Sequence, residues 1–320
     1  MTITKRNLLK SSIAALAMAA AVPAYAQDSP VIASIVFQGD QFMKSLQQGI
    51  KEGAEAGGAE VLEINIDGDQ TKESQAIDTY IARGVDAIVI APLSTTGSAG
   101  AVQRARDAGI MVIALNGGLD DKSIPNATFS TPNIDLGKAT GEAAASFIAE
   151  RLGGKANVGI LAFDSLLPEQ SGQRTGGFEE TAAIGNELNV VARQDAWLPE
   201  KAVTVATDMM TANPEINVIY AANEGGTIGA MQAVRNAGKA GQVFVFGIDG
   251  SPQLAKGLLA GDNVLQAVTA QSPVEMGRMG AEAALKVIAG ASVEAETIVP
   301  TLPLNRNDKA GVEAFLASLE

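Results

Sequence analysis

One rhythm constrains this chain more than any other feature. Short runs rich in Val and Ile alternate with longer Ala- and Gly-rich stretches of helical period, and they do so in two sets. Residues 31–37 (VIASIVF), 60–66 (EVLEINI), 86–91 (DAIVIA) and 110–115 (IMVIAL) form the first set of strands, with helices expected near 41–57, 71–83 and 95–108. Residues 157–163 (NVGILAF), a weaker run near 189–194, 217–222 (NVIYAA) and 242–248 (QVFVFGI) form the second, with helices near 135–152, 171–186, 200–212 and 225–238. Apolar strands separated by helices are the pattern of a parallel sheet covered on both faces, because each crossover between parallel strands needs a long connection, usually a helix. Gly84, Gly109 and Gly238 each stand between a helical stretch and a strand, where a helix-terminating glycine belongs. The chain is therefore read as α/β, with two Rossmann-like doubly wound lobes rather than one closed barrel. A length of 320 residues with 47% hydrophobic side chains is enough to give each lobe a core.

In open α/β sheets, ligands bind beyond the carboxyl ends of the strands. The residues standing there include Gln38 and Asp40, Asp67, Ser94, Asn116, Asp164, Asn223 with Glu224, and Asp249. Asp, Asn and Ser are also the ordinary residues of caps and turns, so position alone assigns none of them. No G-x-G-x-x-G follows a strand, and neither a G-x-x-x-x-G-K-S/T loop nor a G-x-S-x-G elbow occurs. The glycine-rich NEGGTIGA, residues 223–230, opens a helix without nucleotide-binding spacing and is read as close packing.

Residues 1–26 stand apart. Lys5, Arg6 and Lys10 precede an apolar stretch from about Ile13 to Val22 that closes on Ala24-Tyr25-Ala26, the form of a secretory signal peptide cleaved after Ala26. The stretch is shorter than the roughly 20 apolar residues of a membrane span. Removing its three positive charges takes the formal charge from −13 to −16, and so acidic a surface argues against nucleic acid. With no Cys there is neither a lipid-anchoring thiol nor a disulfide, and with no His the commonest metal ligands and catalytic bases are missing as well. No metal and no cofactor are expected.

Five ordered segments carry a resemblance: FMKSLQQGIKEGAEAGG (42–58), ARGVDAIVIAP (82–92), RTGGFEE (174–180), VIYAANEGGTIGAMQAVRNAGK (218–239) and FGIDGSPQ (246–253). In this order and spacing the chain resembles the periplasmic sugar-binding proteins of the ribose-binding type, the solute receptors of carbohydrate ABC importers, over essentially everything after residue 26. The resemblance implies a type I periplasmic binding fold, whose two lobes are joined by a three-segment hinge and close over one ligand. Its crossings fall near Thr131, Gln271 and Thr301, making one lobe of 27–131 plus 272–301 and another of 132–271 plus 302–320.

The resemblance also implies a site. Arg174, in R-x-x-G-F, would point into the cleft, where its planar fork can hold two ligand oxygens. Asn223 and Asp249, each directly after a strand, would bind hydroxyls, and Gln271 would be the hinge-side amide. Trp197, the sole Trp, and Phe42 stand where the family has aromatic walls. Met43 and Ile248 stand where aromatics are common, and Asp40 holds a position often occupied by Asn. The largest departure is Asn116-Gly117, where ribose-type members carry an Asp-Arg pair. Gly117 would then leave a gap for a differently shaped ligand, such as an extended polyol or a larger ring, and ribose itself is not expected.

The implied function is that of an exported, monomeric receptor in the periplasm. It would capture a monosaccharide or sugar alcohol by hinge closure and deliver it to the membrane permease of an ABC importer, with no chemistry of its own. Two alternatives stand beside it. One is a receptor for a furanosyl quorum signal or a chemotaxis sugar receptor; the other is a glycosidase-like enzyme using Asp40 and Asp249 as its acid and base.

Overall fold

In the computed structural model, which describes residues 29–319, the apolar runs become two six-stranded sheets. The expected signal peptide lies outside the described residues. The first sheet is all parallel. Its strands β1 (Val31–Val36), β2 (Glu60–Asn65), β3 (Ala87–Ile90), β4 (Met111–Asn116) and β5 (Ala127–Ser130) are joined by a late one, β11 (Glu296–Ile298), in the order β11-β5-β4-β3-β1-β2. The second sheet holds β6 (Lys155–Ala162), β7 (Glu187–Asp195), β8 (Val218–Ala221), β9 (Phe244–Ile248), β10 (Leu265–Ala270) and β12 (Leu302–Asn305), in the order β12-β10-β9-β8-β6-β7. Only β12 pairs antiparallel there, against β10. The sequence explains the strands: every residue of β3 and of β8 is buried, as parallel strands covered on both faces require.

In each sheet the strand order reverses once, between β1 and β3 and again between β6 and β8. These are the switch points at which an α/β sheet opens a crevice at its carboxyl edge. The helices between strands are α1 (Gln41–Ala56), α2 (Gln70–Arg83), α3 (Ala99–Asp107), α4 (Asn133–Arg151), α5 (Pro168–Ala182), α6 (Pro199–Ala212), α7 (Glu224–Asn236), α8 (Pro252–Leu259) and α9 (Pro273–Ile288), and α10 (Lys309–Ala317) follows β12. Small residues let the longest pairs approach: a Cβ on Gly49 of α1 would collide with the Val274 carbonyl of α9, and one on Gly137 of α4 with the Arg174 carbonyl of α5.

The chain passes between the sheets three times. After β5 it enters α4, which packs on α5 and β10 of the second sheet. After β10 it returns as α9, which packs on α1 and β4 of the first. After β11 it leaves again to form β12. Two of these passages are tied side by side, since Thr131 Oγ1 donates to the Val299 carbonyl at 2.9 Å and Val299 N to the Ser130 carbonyl at 2.9 Å.

Some boundaries differ from the pattern in the sequence. Helix α3 begins at Ala99 rather than near 95, because Ser94 to Ser98 is a turn in which Ser94 Oγ accepts from Gly97 N at 2.9 Å and Ser98 Oγ from Ser94 N at 3.1 Å. Helix α5 begins at Pro168, earlier than 171, with the proline in its first turn, where its missing N–H costs no hydrogen bond.

Candidate ligand-binding site

The carboxyl edges of the two sheets face each other across a cleft lined by residues of both lobes. All nine residues expected from the sequence line it: Asp40, Phe42, Met43 and Asn116 from the first lobe, Arg174, Trp197, Asn223 and Asp249 from the second, and Gln271 at a crossing. Ile248 does not line the cleft; it is fully buried inside β9.

Backbone geometry aims two of these side chains. Asn116 ends β4 with φ 66° and Asp249 follows β9 with φ 75°. Asn and Asp are the non-glycine residues that tolerate this left-handed region best. Each closes the fourth strand of its lobe, so the two lobes present matching side chains from opposite walls.

Asp249 is the centre of the polar network. It is 4% exposed, Oδ1 accepts from Gln271 Nε2 at 2.7 Å, Oδ2 accepts from Glu224 N at 3.0 Å, and Arg174 Nη1 lies 3.9 Å from Oδ2. Arg174 is held on three sides. Its Nε donates to Asn133 Oδ1 at 2.8 Å, its Nη1 donates to the Ala222 carbonyl at 2.9 Å, and its guanidinium sits 5.4 Å from the centre of the Phe163 ring. Its Nη2 makes no hydrogen bond among the described residues, which leaves one arm of the fork for a ligand oxygen. Arg174 is therefore a structural keystone as well as a lining residue.

Asn223 caps α7, accepting from Gly226 N at 3.0 Å, and donates Nδ2 to the Trp197 carbonyl at 3.0 Å. This links the Trp197 loop to the helix start. A Cβ on Gly225 would collide with that same Trp197 carbonyl, and one on Gly229 with Ala202 of α6, so NEGGTIGA serves close packing as its spacing predicts. Trp197 has Lys201 Nζ 5.2 Å from its ring centre, and among the described residues its Nε1 is a buried donor without an acceptor and Gln38 Oε1 a buried acceptor without a donor. Asn116, 5% exposed, has no side-chain hydrogen bond among the described residues. Buried polar groups are nearly always paired, so these mark where a bound molecule would complete the network.

Burial sets the electrostatics. It raises the Asp40 carboxyl above its ordinary value; the Met43 amide opposes this at 2.9 Å, Asp249 adds to it, and Arg174 and Lys44 oppose it. Glu224 is pushed up to about 7, first by burial, against a hydrogen bond with Ser251, and with Asp249 and Asp40 adding to the rise.

The sequence pattern did not select Gln38, Phe163, Leu166, Leu167, Gln170 or Glu224, which also line the cleft. Gln38 and Glu224 stood in the row of strand ends, and Phe163 ends the apolar run of β6, so position was a usable signal for these three. The gap expected beside Gly117 is narrowed from the opposite lobe: a Cβ there would lie 3.0 Å from Gln170 Nε2, while Gly117 also lines an outer groove at the mouth of the cleft.

Two α/β lobes closing a polar, partly aromatic cleft between their carboxyl edges define a two-lobed binding protein. Among the described residues no cluster of His, Cys, Asp and Glu could hold a metal ion, and no helix is long and apolar enough to cross a membrane. The family profile of the periplasmic binding protein domain matches residues 31–292. The chain belongs to that family, one of binding proteins rather than enzymes, whose membership implies a periplasmic location. It is 33% identical over 292 residues to the ABC transporter periplasmic-binding protein YphF of Escherichia coli, covering 89% of this chain and 88% of that protein. It is 30% identical over 275 residues to the D-allose-binding periplasmic protein of Escherichia coli, covering 83% and 84%. The crystal structure of an ABC transporter periplasmic solute-binding protein from Actinobacillus succinogenes with bound D-allose superposes with a TM-score of 0.79 at 30% identity, covering 89% of this chain and all of that one.

Proposed function

We propose that this chain is the solute receptor of a carbohydrate ABC importer, and that its cleft takes one monosaccharide or sugar alcohol. The observation that carries this is a mixture of groups on residues lining one cleft: among the described residues, Trp197 Nε1 is a buried donor and Gln38 Oε1 a buried acceptor without a partner, and the Asn116 amide, which offers both, makes no side-chain hydrogen bond. A hydroxyl both donates and accepts, so a polyhydroxylated molecule satisfies such a set where a purely anionic or apolar one does not. Arg174 and Asp249 act as fixed anchors. Each neutral hydrogen bond contributes only about 0.5–1.5 kcal/mol net, so several must converge. An epimer that leaves one buried group unpaired is rejected by the cost of that group.

The three passages between the sheets act as the hinge, with the lobes divided near Thr131, Gln271 and Thr301. Ligand contacts from both lobes favour the closed state over the open one, and the closed monomer is what the membrane permease recognises. Residues 1–26 direct export and are cleaved off after Ala26. The test is a thermal-shift panel of pentoses, hexoses including D-allose, and four- to six-carbon polyols. At a hundred-fold excess over Kd a ligand adds about 2.7 kcal/mol of stability, and at least one member is expected to raise the melting temperature. A flat panel overturns the proposal.

A further inference from the structure

The wall beside Gly117 is assembled from both lobes. A Cβ on Gly117 would lie 3.0 Å from Gln170 Nε2, so a side chain from the first turn of α5 occupies the space that a first-lobe side chain at 117 would take. Two more contacts bridge the same lip. Thr95 Oγ1 donates to Glu169 Oε2 at 3.2 Å, and a Cβ on Gly68 would lie 3.3 Å from Leu166 Cδ1. Three strand-end loops of the first lobe therefore meet one segment of the second, residues 166–170. Leu166, Leu167 and Gln170 line both the cleft and the outer groove at its mouth, and Gln170 is the polar member of the three.

We propose that Gln170 is a specificity-determining latch, which enters the space over Gly117 when the lobes close, offers an uncharged amide at that wall and prolongs the bound state. The proposal rests on the receptor reading above. A contact made only in the closed state lowers the energy of that state alone, so it slows release and leaves capture nearly unchanged. An amide supplies one donor pair and one acceptor without charge. The wall therefore suits a neutral hydroxylated ligand and gives a carboxylated one, such as a uronic acid, no counter-charge.

The test is a size exchange using Gln170→Ala, Gly117→Leu and the double variant, with D-allose and myo-inositol as probes. Gln170→Ala is expected to speed release of a retained probe by about ten-fold while association stays within about two-fold. Gly117→Leu is expected to abolish retention by blocking closure, and adding Gln170→Ala is expected to restore it. Unchanged release from Gln170→Ala, or a double variant as defective as Gly117→Leu, overturns the proposal. If the wild type retains neither probe nor any other sugar, it is the receptor reading that fails. The latch is then judged without ligand: the chain has no Cys, so a Gly117→Cys, Gln170→Cys pair can be joined by a short bismaleimide. Efficient cross-linking supports the latch, and its absence overturns it.

Discussion

Glu224 makes the cleft sensitive to pH in a direction opposite to that of most carboxylates. Its carboxyl is 7% exposed at the start of α7, with Asp249 and Asp40 as charged neighbours and Ser251 as its hydrogen-bonding one, and it is held near 7 against an ordinary 4.5. A raised folded-state value means that the folded protein keeps a proton the unfolded chain has already lost. Stability is then fully present below about 4.5 and falls by ~1.4 kcal/mol per pH unit until the folded group also ionises near 7. From pH 5 to pH 8 the wild type loses about 2.5 kcal/mol through this one group. Glu224→Gln keeps the shape and removes the titration. Comparing urea unfolding of the two proteins at pH 5, 6.5 and 8 cancels most other ionisations. The stability difference in favour of the variant is expected to grow by about 2.5 kcal/mol across that range. A difference that stays constant with pH, or shrinks as pH rises, refutes the reasoning.

Other outcomes follow from the same geometry. Arg174→Lys keeps a positive charge but loses the fork that serves Asn133 and the Ala222 carbonyl; it is expected to cost about 1–3 kcal/mol in urea unfolding and to weaken sugar binding by more than ten-fold. Gly225→Ala drives a methyl against the Trp197 carbonyl, so about 1–3 kcal/mol of stability is expected to be lost, with a shift in Trp emission even without ligand. Because Trp197 is the sole Trp and lines the cleft, adding a ligand that raises the melting temperature is expected to change its fluorescence; an unchanged spectrum places the ring outside the site.

The two lobes were legible because their central strands are continuous apolar runs, most of them followed within two residues by a polar one. Strand β5 (ATFS) and strand β12 (LPLN) were not, since runs this short and mixed become strands only by pairing with β4 and β10. The return of α9 to the first lobe leaves no trace in periodicity and came from family resemblance. In the site, residues such as Asn223 and Asp249 were marked by standing directly after a strand, although Asn223 is also a helix cap and composition does not separate the two roles. Gln170 had no local signal. Its importance depends on which residue of the other lobe it meets, and that is a property of closure.

The receptor function is tested most directly by a crystal structure of the protein with the best-binding sugar or polyol of the panel. One ligand molecule is expected between the lobes, with hydroxyls on Arg174 Nη2, Asn116, Gln38 and Asp249 and the Trp197 and Phe42 rings beside it. A ligand bound outside this cleft, or a cleft occupied without contact from one of the two lobes, would contradict that function.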